Sequence, residues 1–399
     1  MKNKAAWLSA FLLTAGILSG CGKEEKADKP EQKKTEQSTQ DTKTESASVE
    51  KSETAVQVTA YEEMKAEMEK AKEGQEVDWE KVSGIYTDKL QKHVTEVDES
   101  GEMDQAITAA IEGAKNKEMD NNIARQLTDK VTQSYFYQKQ KRLHKDAAAA
   151  LEGKKESEAN LAFGELKLLA EKIFVPTAVK RDDYYKLQGE ASIVEGINNG
   201  LAAQEKALKE GNVEDFKVFV QLTDKSVYRS YYLASNSYAE KIAAGVKEGK
   251  PKEELLQEQA EAWGFFQAIK GSLSGGDEAA AAEINKLFTL NETKPEAIDP
   301  QQVNQLFTKA FAGKISGYLE KAPKALEDGE ATEAKVGALE GIVFLKAIEM
   351  DLQKKLGQEE AKLLLDDSQK WFEAISSDNK EEASKLGEKL NAGLTKLSK

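Results

Sequence analysis

The chain is poor in the residues that most metal and redox chemistry needs. Its 399 residues include one cysteine and two histidines. One cysteine excludes an internal disulfide and a thiolate metal site, and two histidines argue against a histidine-rich metal centre. Positive charge is also scarce: 57 Lys and Arg stand against 71 Asp and Glu, a net −14 with pI near 5.0. A nucleic-acid groove needs clustered cations, so nucleic acid is not an expected partner. There is no Gly-x-Ser-x-Gly elbow, no His-Glu-x-x-His helix and no phosphate loop. The carboxylate pairs Asp182-Asp183, Glu359-Glu360 and Asp366-Asp367 are adjacent in sequence. Neighbours on a helix point about 100° apart, so these are not acid/base pairs. The expectation is a protein that is not an enzyme and needs no cofactor.

The single cysteine has an informative position. Lys2 and Lys4 precede an apolar run from Ala5 to Ile17, followed by Leu18-Ser19-Gly20-Cys21. A basic start, a short apolar segment and small residues before a cut describe a secretory signal peptide over residues 1–20. The run is too short for a bilayer span, which takes about 20 residues. Leu-Ser-Gly-Cys after such a segment resembles the lipobox of bacterial lipoproteins. The resemblance covers residues 1–21. It implies cleavage before Cys21, a diacylglycerol on its sulfur and attachment to the outer face of the cell membrane. Loss of Lys2 and Lys4 would take the net charge from −14 to −16. The two acyl chains, not electrostatics, would then hold the protein.

Residues 22–55 contain no aromatic and almost no aliphatic side chains. Such a segment cannot offset chain entropy by burial and reads as a disordered tether from Cys21. Coil scaling gives it a span of about 30 Å, suited to a Gram-positive wall. From Val56 on, Ala, Glu, Lys and Leu dominate and alternating β patterns are missing. Leu256, Ala260, Trp263, Phe266, Ile269 and Leu273 form one helical stripe. Asp277 and Asp299-Pro300 have the chemistry of helix starts, and Gly153, Gly249 and Gly329 that of helix ends. The expected class is all-α. Sustained aliphatic heptads are missing, which argues against a long coiled coil.

The body also repeats itself. Gln126-Leu127-Thr128-Asp129-Lys130 recurs as Gln221-Leu222-Thr223-Asp224-Lys225 and loosely as Gln305-Leu306-Phe307-Thr308-Lys309. Each is followed by tyrosines, a closing glycine and a Glu-x3-apolar-x3-Ile helix: Glu165/Leu169/Ile173, Glu261/Phe265/Ile269 and Glu340/Phe344/Ile348. The glutamates are 96 and 79 residues apart, too far for one helix pair. The expectation is about three divergent multi-helix units, over 56–210, 211–295 and 296–399.

Candidate site residues follow from these patterns. Glu165, Glu261 and Glu340 border an apolar stripe, placed either to face a ligand or to pair with a nearby lysine. Tyr232 and Trp263, with the other tyrosine clusters, are candidates for a ligand groove or for core packing. Arg229 and Lys180-Arg181 are candidates for anionic wall polymer. His144, within Lys141-Arg142-Leu143-His144-Lys145, is expected at the surface. His93-Val94-Thr95-Glu96 resembles the His-x-x-Glu spacing of imelysin-like extracytoplasmic proteins, which implies a metal site at His93 and Glu96. Lys92 stands where that family usually has glycine. Glu195-Gly196-Ile197 and Glu340-Gly341-Ile342 resemble part of the Arg-Glu-Gly-x-Glu motif of bacterial iron permeases, without its arginine or second glutamate. The leading reading is a lipid-anchored extracytoplasmic binding protein for a protein, wall or small-molecule partner. The alternative is a metal-capturing helical lipoprotein.

Overall fold

A computed structural model describes residues 48–98 and 100–397. The signal segment, Cys21 and nearly all of the expected tether lie outside the described residues. Among the described residues every regular element is helical. The first long helix, α1, spans Glu53–Glu69. It starts just before the boundary expected at residue 56, because Ser52 caps it and Thr54 and Gln57 are buried. Three short helices follow: α2 (Trp79–Lys89), α3 (Gln91–Val97) and α4 (Glu102–Lys115). Next come α5 (Asn121–Glu152), α6 (Glu156–Leu169), α7 (Val175–Tyr185) and α8 (Ile193–Lys209). The longest helix is α9 (Val213–Glu248). The chain continues through α10 (Lys252–Ser274), α11 (Glu278–Phe288), α12 (Pro300–Glu327) and α13 (Ala331–Ala347). It ends with α14 (Glu349–Leu356), α15 (Gln358–Ser376) and α16 (Lys380–Thr395).

Local chemistry sets these boundaries where expected. Asp277 and Asp299 accept from the amides of Ala280 and Gln301, and Pro300 occupies a position whose N–H would have no helical partner. Gly249 closes α9 in the left-handed conformation. Gly153 closes α5 at an ordinary φ of −74°, and the left-handed position falls on Lys154. Between α6 and α7 the chain makes a π-helical turn, Ala170–Phe174. Pro176 follows it and has no N–H to donate into the ladder, which favours a local change of hydrogen-bond register.

Helices α5 and α9 run through the middle of the molecule. Residues Ile123 to Tyr137 of α5 are all buried, as are Val227 to Ala239 of α9. A helix buried on every side would ordinarily be apolar all round. These two instead carry Arg125, Gln126, Thr128, Asp129, Lys130 and Gln133, and Asp224, Lys225 and Arg229. The expected units do not stand apart: α10, from the second, lies against α5 of the first, and α13, from the third, lies against α9. One hydrophobic core runs from Val58 to Leu397.

The α5–α10 crossing depends on Gly264. A Cβ there would sit 2.5 Å from the Lys130 Cβ, while Ser134 Oγ donates to the Gly264 carbonyl at 3.0 Å. Gly264→Ala should therefore destabilise by about 1–3 kcal/mol. Gly271, on the same helix with open space around it, should gain about 0.5–1 kcal/mol on substitution by alanine. Denaturant unfolding of the two variants tests the contrast, and equal effects would contradict this packing.

Candidate functional site

Asp129, Lys130 and Gln133, enclosed on α5, form a hydrogen-bonded cluster. Lys130 Nζ lies 2.5 Å from Asp129 Oδ2. The Tyr61 hydroxyl of α1 donates to Asp129 Oδ1 at 2.5 Å, and Gln133 Nε2 donates to the same oxygen at 3.1 Å. Thr177 of α7 donates to Gln133 Oε1 at 3.1 Å. Burial by itself would raise the Asp129 pKa; the charges of Lys130 and Lys65 and these hydrogen bonds outweigh it and hold the carboxyl far below the usual range.

Beside this cluster lies a cavity of about 60 Å³, enclosed by α1, α5, the π turn, α7, α9 and α10. Tyr61, Lys130, Gln133, Thr177 and Arg181 are its buried polar residues, and Lys65, Lys172 and Lys180 stand nearer solvent. Arg181 donates to Ser237 Oγ at 2.8 Å, and its Nε has no hydrogen-bond partner. Five cations line the cavity. Its surroundings supply three carboxylates: Asp129, Glu261 and Glu171, the last 3.5 Å from Lys172. Cations exceed carboxylates by two there, in a chain of net charge −14. Partial burial, followed by the nearby charges of Lys130 and Lys65, pulls Lys180 below the ordinary lysine value. The arrangement can hold an anionic group.

A second cluster repeats the first with different closure. Lys225 Nζ lies 2.5 Å from Asp224 Oδ2 and 2.8 Å from Glu340 Oε1. The correspondences run through both clusters. Tyr61 and Lys65 of α1 match Tyr137 and Lys141 of α5. Asp129-Lys130 of α5 matches Asp224-Lys225 of α9. Glu261 and Phe265 of α10 match Glu340 and Phe344 of α13. Lys130 sits over the Phe265 ring at 5.1 Å and Lys225 over Phe344 at 5.0 Å. Lys65 and Lys141 each cover the tyrosine one turn before them. The difference is at the lysine. Lys225 takes carboxylates from two helices, whereas among the described residues Lys130 pairs only with Asp129 and has the cavity beside it. Burial would lower the Lys225 pKa, but Asp224 and Glu340 overcome that and raise it.

The expected site residues are dispersed. Glu261 lines the cavity and faces Tyr238, and Glu340 closes the second cluster. Glu165 is half-buried on α6, near Tyr135 and Lys139, and joins neither cluster. Tyr232 packs against Phe307 and Phe311 and donates to Asp351 Oδ2 at 2.5 Å, a core role. Trp263 is half-buried on α10, outside the cavity lining. His93 Nε2 lies 3.4 Å from Glu53 and its Nδ1 3.5 Å from Glu96, so its two nitrogens face different carboxylates. Among the described residues no three His, Cys, Asp or Glu side chains form a group that could hold a metal ion. The loose third repeat lacks the acid: Thr308 replaces it, and Lys309 pairs with Asp277. His144 corrects the expectation of a surface residue. It is 3 % exposed, on the inward face of α5 beside Asp224 and Lys225, while Arg142 and Lys145 take the outer faces.

Tyr61, Lys65, Lys130 and Gln133 are the site residues that motif reading missed. The available signal was the second recurrence, Tyr-x3-Lys at Tyr61/Lys65 and Tyr137/Lys141, running in step with the repeated Asp-Lys. The chain matches no family model, no curated protein and no solved structure.

Burial pushes the His144 pKa down to about 4, and neither ring nitrogen has a hydrogen-bond partner among the described residues. Its folded pKa lies below the unfolded value of about 6.5, so the linked stability is complete above pH 6.5 and is lost as pH falls toward 4. His144→Leu should flatten the stability profile across that window, by up to about 3 kcal/mol. It should leave intact the loss below about pH 4 that comes from the depressed Asp129 and Asp224. Urea unfolding at several pH values measures both.

Proposed function

We propose that the protein is a non-catalytic, lipid-anchored binding protein of the bacterial cell envelope, held at the outer face of the membrane through Cys21. Its ligand carries a compact anionic group, phosphate or carboxylate, that seats in the cavity beside Lys130. The carrying observation is the uncompensated positive charge of that cavity in an acidic protein. The second cluster supports the reading from within: where Lys130 faces open space, Lys225 is met by the Glu340 carboxylate at 2.8 Å. A ligand oxyanion at the first cluster would make the same charge-assisted contact. Lys65, Lys172 and Lys180 near the mouth would draw the anion in and make binding weaken with salt. An anionic wall polymer and a small free anion both present such a group.

Two experiments test this. Calorimetric titration of the full chain with inorganic phosphate, and separately with a polyglycerol phosphate chain, should give binding that weakens as salt rises. The double variant Lys65→Gln/Lys180→Gln should lose at least tenfold in affinity, since a hydrogen bond to a charged group contributes about 1.5–3 kcal/mol. No heat from either anion, together with heat from zinc, iron, copper or calcium that disappears in His93→Ala, would replace this reading with metal capture. For the anchor, Cys21→Ser should move the protein out of the membrane fraction, and unchanged retention would refute lipidation.

A further inference from the structure

The repeated helix pairs α5–α10 and α9–α13 do not close equally. At the first crossing the matched residues are Ser134 and Gly264, both small, and the helices touch. At the second, the same positions hold Arg229 and Val343. Both larger side chains line a cleft of about 150 Å³ between α8, α9 and α13. Its walls include Phe219, Leu222, Ile342 and Val343. An apolar protein cavity of about this size accepts a benzene ring.

Three cations line this cleft: Lys225, already paired with Asp224 and Glu340, and Arg229 and Lys346. Arg229 is 6 % exposed; one of its terminal nitrogens donates to the Ala191 carbonyl at 2.8 Å, and its Nε has no partner. Lys346 is half-buried one turn beyond Val343. Among the described residues neither Arg229 nor Lys346 has a carboxylate at ion-pair distance. Glu349, Asp182 and Asp351 act on Arg229, and Glu190 and Glu349 on Lys346, only from further away, and a buried guanidinium ordinarily takes a direct partner. Glu190 and Glu195, both exposed, line the cleft on its α8 side.

We infer that this cleft is a second ligand site, for a compact molecule with an apolar body and one anionic head group. The body would pack on Phe219, Leu222 and Val343, and the head would pair with Arg229 and Lys346. This inference is independent of the Lys130 cavity, since the two sites share no residue.

Phenylacetate and its neutral counterpart 2-phenylethanol are suitable probes, titrated into the full chain by calorimetry. The acid should bind about tenfold or more tightly than the alcohol. Val343→Trp, which fills the cleft, should abolish binding, and Lys346→Gln and Arg229→Gln should each weaken it about tenfold. Thermal melts identify variants that retain the fold. Should Arg229→Gln fail to fold, Lys346→Gln and Val343→Trp still decide. Lys65→Gln/Lys180→Gln should leave phenylacetate binding unchanged, which separates this site from the first. Absent binding, equal affinity for acid and alcohol, or full binding to Val343→Trp would overturn the inference.

Discussion

The architecture turns on placing an aspartate–lysine pair inside a helix that is enclosed on every side. Taking two charges out of water costs several kcal/mol per ion, and their attraction offsets this only when the remaining hydrogen-bonding capacity is filled. On α5 that filling comes from Tyr61 on α1 and Gln133 one turn further along. On α9 it comes from Glu340 on α13, nearly 120 residues away in sequence. Each pair thus fixes the position of helices remote in the chain. The arrangement of helices around α5 and α9 rests partly on these polar contacts and not only on apolar burial.

The same helix serves both clusters. α5 supplies Asp129-Lys130 to the first and, two turns later, Tyr137 and Lys141 to the second. A shared helix explains why the units interlock along a continuous core. It also lets the clusters diverge without loss of the frame. Where Glu340 reaches Lys225 the charge is closed internally, and where Glu261 turns to Tyr238 a cavity remains. Small residues meet closely at one crossing, and at the other the matched larger residues line a cleft. Two cavities of different lining arise this way from a single repeated scaffold.

Much of the scaffold was legible because it depends on local chemistry. Asp277, Asp299-Pro300 and Gly249 mark helix ends through hydrogen bonds and φ values available within a few residues. The stripe through Ala260, Phe266, Ile269 and Leu273 is buried as its period requires. The site was less legible. Glu261 and Glu340 occupy matched places, but Glu165 shares their pattern and lies elsewhere, because a Glu-x3-apolar-x3-Ile helix specifies a buried face and not the neighbour it faces. His144 sits among basic residues in sequence yet points inward, since each step along a helix turns about 100°.

The sequence by itself determined an all-helical body, its capping signals and the recurrence of Gln-Leu-Thr-Asp-Lys, all of which follow from short-range periodicity and side-chain chemistry. It also revealed how few cysteines and histidines there are. Tertiary structure decided which lysine meets a second carboxylate and which faces a cavity, and which helix crossing is tight. Those outcomes depend on side chains such as Ser134 and Gly264, 130 residues apart, and Lys225 and Glu340, which meet only when α10 and α13 pack on α5 and α9. No local pattern encodes them, because the energy of a buried charge is set by what surrounds it in space.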